Sequence, residues 1–197
     1  MRVIVKRFEA PLIDKKEVLR YARSSAEDAL SCDLAQEVID LAKDSFDYRV
    51  CYLELPFKSD GNICDFSVFK VESKKLSKCL DGSSKVIVFA ATVGVGIDRL
   101  ISKHSRISPA KALMLGALGA ERIESLCNAF CGEYESKDGV LLTPRFSAGY
   151  GDCLLDVQKQ IFELLDCPKN IGLTLNDSML MSPTKSVTAF VGIKEKK

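Results

Sequence analysis

Ser108 and Pro109 supply a helix N-cap and a first-turn proline, and the apolar positions 113, 117, 120, 123, 127 and 130 keep one face from there to about Cys131. A helix of that span is about 35 Å long and has to lay its stripe against another layer. Gly116 and Gly119 inside it lower helix propensity, so close packing against a neighbour is the expected reason for them.

The segments around this helix alternate between strand and helix signals. Residues 2–7 alternate as a strand. Asp14 and Glu17 have capping-box spacing ahead of a helix in "KKEVLRYAR", and a second helix is predicted over 26–45, with Leu30, Leu34, Val38 and Leu41 at helical intervals. "YRVCYLEL" and "NICDFSVFKV" read as strands around a turn at 56–61. Polar residues alternate in the second, which predicts a sheet with one face wetter than the other. "KVIVFAATVGVGIDRLI" runs from a strand through a glycine turn into a helix; "VLLTP" is a short strand; 154–165 is amphipathic and ends near Pro168. Two or three strands in "IGLTLNDSMLMSPTKSVTAFVGI" close the chain. This order predicts an α+β fold with a mainly antiparallel β-sheet flanked by helices. A chain of 197 residues can bury one sizeable core. A single structural domain is expected, with residues 1–80 as its N-terminal helices and first strands and 81–197 as its core region.

Several function classes are disfavoured. Lys and Arg number 28 against 27 Asp and Glu, mixed along the chain, so no broad cationic field for nucleic acid is expected. No window approaches the ~18 apolar residues of a membrane helix, and the first residues lack a secretory pattern, which predicts a cytoplasmic protein. Eight cysteines include no C-x-x-C pair, and the sole histidine, His104, lies on another element, so buried thiols rather than a metal site are expected. In "TVGVGIDR" Arg99 stands where a dinucleotide fingerprint has its third glycine, and a tight turn is the reading. No nucleophile elbow is present, and no catalytic residue is assigned.

"RFSAGYGDC", residues 145–153, carries the candidate binding site. The Arg145 guanidinium is a planar donor fork suited to a carboxylate or phosphate, Gly149 lets backbone approach a ligand, and Tyr150 adds an aromatic wall. The alternative is a plain turn with Arg145 paired to Asp152 or Glu135.

The ordered combination of Arg145, Gly149 and Tyr150 with Asp177, Ser178, Pro183, Ser186 and Val187 resembles the C-terminal activation domain of cobalamin-dependent methionine synthase, especially its small free-standing relatives. The resemblance spans residues 80–193 closely and the first 80 more loosely. It implies a curved antiparallel sheet flanked by helices, with S-adenosylmethionine bound in a groove by Arg145, Phe146, Ser147, Ala148, Gly149 and Tyr150. Arg145 would meet the methionine carboxylate. Asp60, Asp65, Glu133 and Glu135 are the acidic candidates for its amino group. Asp152 departs from the family pattern and would alter the groove.

The implied activity is repair of a corrinoid methyltransferase, most of all a methionine synthase core lacking this domain. S-adenosylmethionine would give the methyl group and a flavodoxin-like or other electron donor the electron. The cobalamin would be carried by the partner protein, since this sequence shows no Asp-x-His-x-x-Gly signature. A scaffold or chaperone that binds a corrinoid protein but no S-adenosylmethionine is the alternative.

Overall fold

The computed structural model describes residues 2–195. In chain order the first elements are β1 (Ile4–Arg7), α1 (Lys15–Tyr21), α2 (Ala29–Ala42), β2 (Arg49–Pro56), β3 (Lys58–Ser59), β4 (Ile63–Asp65), β5 (Lys70–Glu72) and α3 (Lys74–Cys79). There follow β6 (Lys85–Thr92), α4 (Gly96–His104), α5 (Pro109–Asp138), β7 (Val140–Leu142), α6 (Val157–Leu165), α7 (Cys167–Ile171), β8 (Thr174–Leu175), β9 (Met181–Ser182) and β10 (Ser186–Glu195).

A five-stranded antiparallel sheet of order β1-β2-β6-β10-β7 organises the rest. Its middle strand, β6, is apolar from Val86 to Ala91 because both of its faces are covered. Ile87, Phe89 and Ala91 pack under α1, α2 and α5, in one core with Val18, Val38, Leu118 and Phe130. Val86, Val88 and Ala90 face the other core, with Leu76 of α3, Ile161 of α6 and Phe66.

That second cover corrects the expected wet face. "NICDFSVFKV" is two short strands, β4 and β5, joined by a reversal at which Ser67 has φ +67 and its N–H donates to Asp65 Oδ1 (2.8 Å). With β3 they form a separate three-stranded sheet whose Phe66 stacks on Phe190 of β10 at 5.0 Å. The polar positions face away from a small lid, not from the main sheet.

The helices largely follow local signals. Asp14 caps α1, its Oδ1 accepting from Lys16 N (2.9 Å) and Glu17 N (3.3 Å). The buried face of α2 is Ala35, Val38 and Ala42, with Leu34 packed at its edge, while Leu30 and Leu41 are exposed. α5 runs past Cys131 to Asp138 and stops where Gly139 takes a left-handed φ of +64. Its polar tail stays helical because Tyr134 still reaches the core. Leu113 at its start is exposed, and a side chain at Gly116 would meet open space, so close packing does not explain that glycine. At Gly119 it does: the aliphatic stem of Lys185 lies across it. Pro168 opens α7 and does not end α6, which stops at Asp166 with φ +43.

One charged pair is wholly inside. Arg122, on α5, donates to Glu121 (Nε–Oε2 2.5 Å) and to the carbonyls of Pro11 (2.5 Å) and Leu12 (2.8 Å), tying the chain before α1 to the long helix.

Candidate functional site

Arg145 leaves β7 and folds back over α5, where Glu124 and Asn128 lie four residues apart on one face of the helix. Its guanidinium donates to Glu124 Oε2 (2.6 Å) and Asn128 Oδ1 (2.7 Å). The pair is half-buried on the Arg145 side. Burial opposes the charge, but Cys127, Glu124 and Cys131 nearby more than offset it and raise the arginine's pKa further. Burial likewise pushes the thiol of Cys127 up to about 12; it lies in the core and not in the cavity lining.

Arg145 also borders an open cavity of about 450 Å³ lined by Asn128, Cys131, Glu135, Leu142, Thr143 and Pro144. A fixed cation, a carboxylate 2.6 Å away and an amide acceptor suit a ligand that carries both charges, such as an α-amino acid group.

The rest of the loop divides by depth. Phe146 exchanges both backbone hydrogen bonds with Phe190 (3.0 and 2.8 Å), and its side chain is buried against the α6 side of the sheet. Ala148 is buried too, and Ser147 is intermediate. Gly149 has φ +86, and a β-carbon there would lie 2.9 Å from Leu155 Cδ1. Tyr150 is 68% exposed and sits edge-on to Phe146 at 5.6 Å, and of residues 145–150 only Arg145 lines the cavity. Arg145 and Tyr150 therefore reach solvent by their side chains, whereas Phe146 and Ala148 anchor the loop.

Neither ion-pair partner expected of a plain turn is used. Glu135 accepts from Leu142 N (2.9 Å), and Asp152 turns to α3. The acidic candidates are engaged elsewhere: Asp60 accepts from Asn62 N and Ile63 N, Asp65 pairs with Lys70, and Glu133 pairs with Lys6. Glu135 alone of the four borders the Arg145 cavity. Glu124, the acid in contact, was missed in the sequence; its signal is the i, i+4 pair with Asn128 on a helix face.

The C-terminal motif residues serve a different end of the sheet. Ser186 Oγ lies 2.8 Å from both Thr92 Oγ1 and the Pro183 carbonyl, and Asn176 Oδ1 accepts from Ser178 N (3.0 Å). "TVGVGIDR" is a packing turn: β-carbons at Gly94 and Gly96 would press on Asp47 and on the Ser45 backbone. His104 ends α4, its carbonyl accepting from Ile107 and Ser108. Among the described residues no group of three or more His, Cys, Asp or Glu side chains is placed to hold a metal, and no helix is long and apolar enough to cross a membrane.

Residues 141–197 match the family model described as vitamin B12 dependent methionine synthase, activation domain. Over 100% of this chain and 80% of the other, the fold is similar to that in a crystal structure of the MetH reactivation domain bound to AdoHcy, with a TM-score of 0.74 at 16% identity. No curated protein matches the sequence. The expected α+β architecture, a curved antiparallel sheet flanked by helices, is thus the activation-domain fold.

Proposed function

We propose that this protein reactivates a corrinoid-dependent methyltransferase, most of all a cobalamin-dependent methionine synthase core lacking its own activation domain, by holding S-adenosylmethionine at Arg145. The observation that carries this reading is Arg145, paired with Glu124 and lining an open cavity, on an activation-domain fold that a solved structure shows with AdoHcy bound.

The sulfonium of S-adenosylmethionine supplies the methyl group, a flavodoxin-like or other donor the electron, and the partner protein the corrinoid. What this chain contributes is orientation. Arg145 takes the carboxylate of the methionine portion, and Glu124, 2.6 Å from Arg145, takes the ammonium. Before binding, Glu124 and Asn128 hold the two terminal nitrogens of Arg145. A zwitterion entering there exchanges one ion pair for two and leaves no charge unpaired. Tyr150 gives an outward aromatic wall to the rest of the ligand, with Ser147 and Gly149 on the loop beneath it. An activated methyl group needs no general base from the protein, which accords with a site built from binding groups.

Calorimetric titration of S-adenosylmethionine and S-adenosylhomocysteine tests the site. Wild-type protein should bind both, Arg145→Ala should lose binding, and Glu124→Gln should lose most of it. With a corrinoid partner, reductant and S-adenosylmethionine, recovery of methylated cofactor should then require this chain. No binding by the free protein or by its complex with a corrinoid partner would favour the scaffold reading.

A further inference from the structure

We propose that α3 is a splint that sets the shape of the Arg145–Tyr150 loop, and that Asp152 is its positioning residue. α3 is six residues, about 9 Å, long, and its two ends hold the chain on either side of that loop. At one end Cys79 Sγ donates to the carbonyl of Pro144 (3.4 Å), the residue before Arg145. At the other, the Asp152 carboxylate, two residues beyond Tyr150, accepts from Ser73 Oγ (2.5 Å), Lys74 N (2.9 Å) and Lys75 N (3.2 Å).

Between these anchors Phe146 and Ala148 pin the first half of the loop to the sheet, whereas residues 149–151 are exposed and held only by local hydrogen bonds. Tyr150 N donates to the Ser147 carbonyl and Gly149 N to the Cys153 carbonyl, around left-handed glycines at 149 and 151. A β-carbon at Gly151 would collide with the Lys75 side chain, so loop and helix are in direct contact. Ser73 links the two structures, since its hydroxyl oxygen also accepts from Leu76 N (3.0 Å) in the first turn of α3. Hydrogen bonds from Ser73, Lys75 and Lys74 hold the Asp152 carboxyl below the usual carboxylate range, so the clamp stays charged at neutral pH. The sequence feature that departs from the family pattern therefore acts through the loop backbone and touches no part of the cavity lining.

The effect on affinity rests on the ligand reading above; the clamp itself does not. Amide hydrogen exchange with peptide-level readout, on wild type, Asp152→Ala, Asp152→Asn and Ser73→Ala, separates the two. Asp152→Ala should speed exchange across 147–151 by about tenfold or more while leaving β6 and α5 protected. It should also weaken S-adenosylhomocysteine by about tenfold, the cost of ordering a loosened loop on binding. Asp152→Asn, which keeps an oxygen for the α3 N–H groups, should recover most of both. Ser73→Ala should show the same local loosening, and it decides the matter if Asp152→Ala fails to fold. Unchanged exchange at 147–151 in both alanine variants would overturn the clamp. Faster exchange with unchanged affinity would overturn the positioning role. If wild type bound no S-adenosylhomocysteine, alone or with a corrinoid partner, the ligand reading would fall, and the exchange comparison would still decide the splint.

Discussion

Replacing Arg122 with methionine should destabilise the protein severely and leave the Arg145 site working. Arg122 and Glu121 have side chains 0% and 3% exposed. The guanidinium serves both carboxylate oxygens of Glu121 (2.5 and 2.6 Å) and two backbone carbonyls. Without it, the buried Glu121 carboxyl keeps only Asp14 N (3.2 Å) and Ser125 Oγ (2.7 Å) as donors. Breaking a buried pair from one side costs about 3–5 kcal/mol, against a total stability of about 5–15 kcal/mol. For a chain of this size that is a drop of roughly 6–20 °C in Tm. Removing both charges, as Glu121→Leu with Arg122→Met, should recover most of the loss, because the freed carbonyls of Pro11 and Leu12 lie beside a fully exposed side chain and can reach water. Two residues on a helix are about 200° apart, so Arg122 and Glu124 face opposite ways and S-adenosylhomocysteine affinity should hold. Urea unfolding followed by circular dichroism measures the stabilities. A loss under about 1 kcal/mol for the single variant, or a double variant as weak as the single one, would refute the reasoning.

Other perturbations have equally definite outcomes. Gly149→Ala puts a β-carbon at φ +86 against Leu155, and should cost about 1–2 kcal/mol in thermal unfolding and weaken S-adenosylhomocysteine; an unchanged Tm would contradict the strain. Gly116→Ala, with open space at the site, should raise stability by about 1 kcal/mol, whereas Gly96→Ala, against the Ser45 backbone, should lower it; the two Tm shifts must differ in sign. Burial pushes the thiols of Cys64 and Cys127 up to about 11 and about 12, so at pH 8 iodoacetamide should label neither until urea unfolds the chain, as read by peptide mapping; fast native labelling at Cys127 would disprove its burial. A hydrogen bond from Arg49 holds the Asp47 carboxyl below its usual range. The stabilisation from this pair is therefore present above about pH 4 and lost as pH falls through the lower folded value, so the stability gap between wild type and Asp47→Asn should close on acidification. A gap constant down to pH 3 would rule this out.

The parts of the fold legible in the sequence are those set by neighbours along the chain. Asp14 caps α1 because its carboxylate reaches N–H groups two and three residues on, and Pro109 opens α5 for reasons internal to one turn. The limits were also local. Ser73, a cap with no strong apolar run behind it, did not advertise α3, and the polar "GEYESKD" hid the last two turns of α5, where Tyr134 alone meets the core. Leu30 and Leu41 of α2 misled because full burial on that helix goes to Ala35, Val38 and Ala42, whose face packs against α5.

At the candidate site the division is sharper. Residue types pointed to "RFSAGY" as the candidate loop for a charged ligand, since the chemistry of a guanidinium and the freedom of a glycine belong to the residues themselves. Its electrostatic partners belong to the packing. Glu124 reaches Arg145 across 21 residues because α5 runs back beneath the strand that delivers the arginine, and Asp152 reaches Ser73 across 79 because α3 lies over the second face of the sheet. Which acid faces which base depends on how helices cross a sheet, and that geometry is set by two cores whose contacts are distant in sequence.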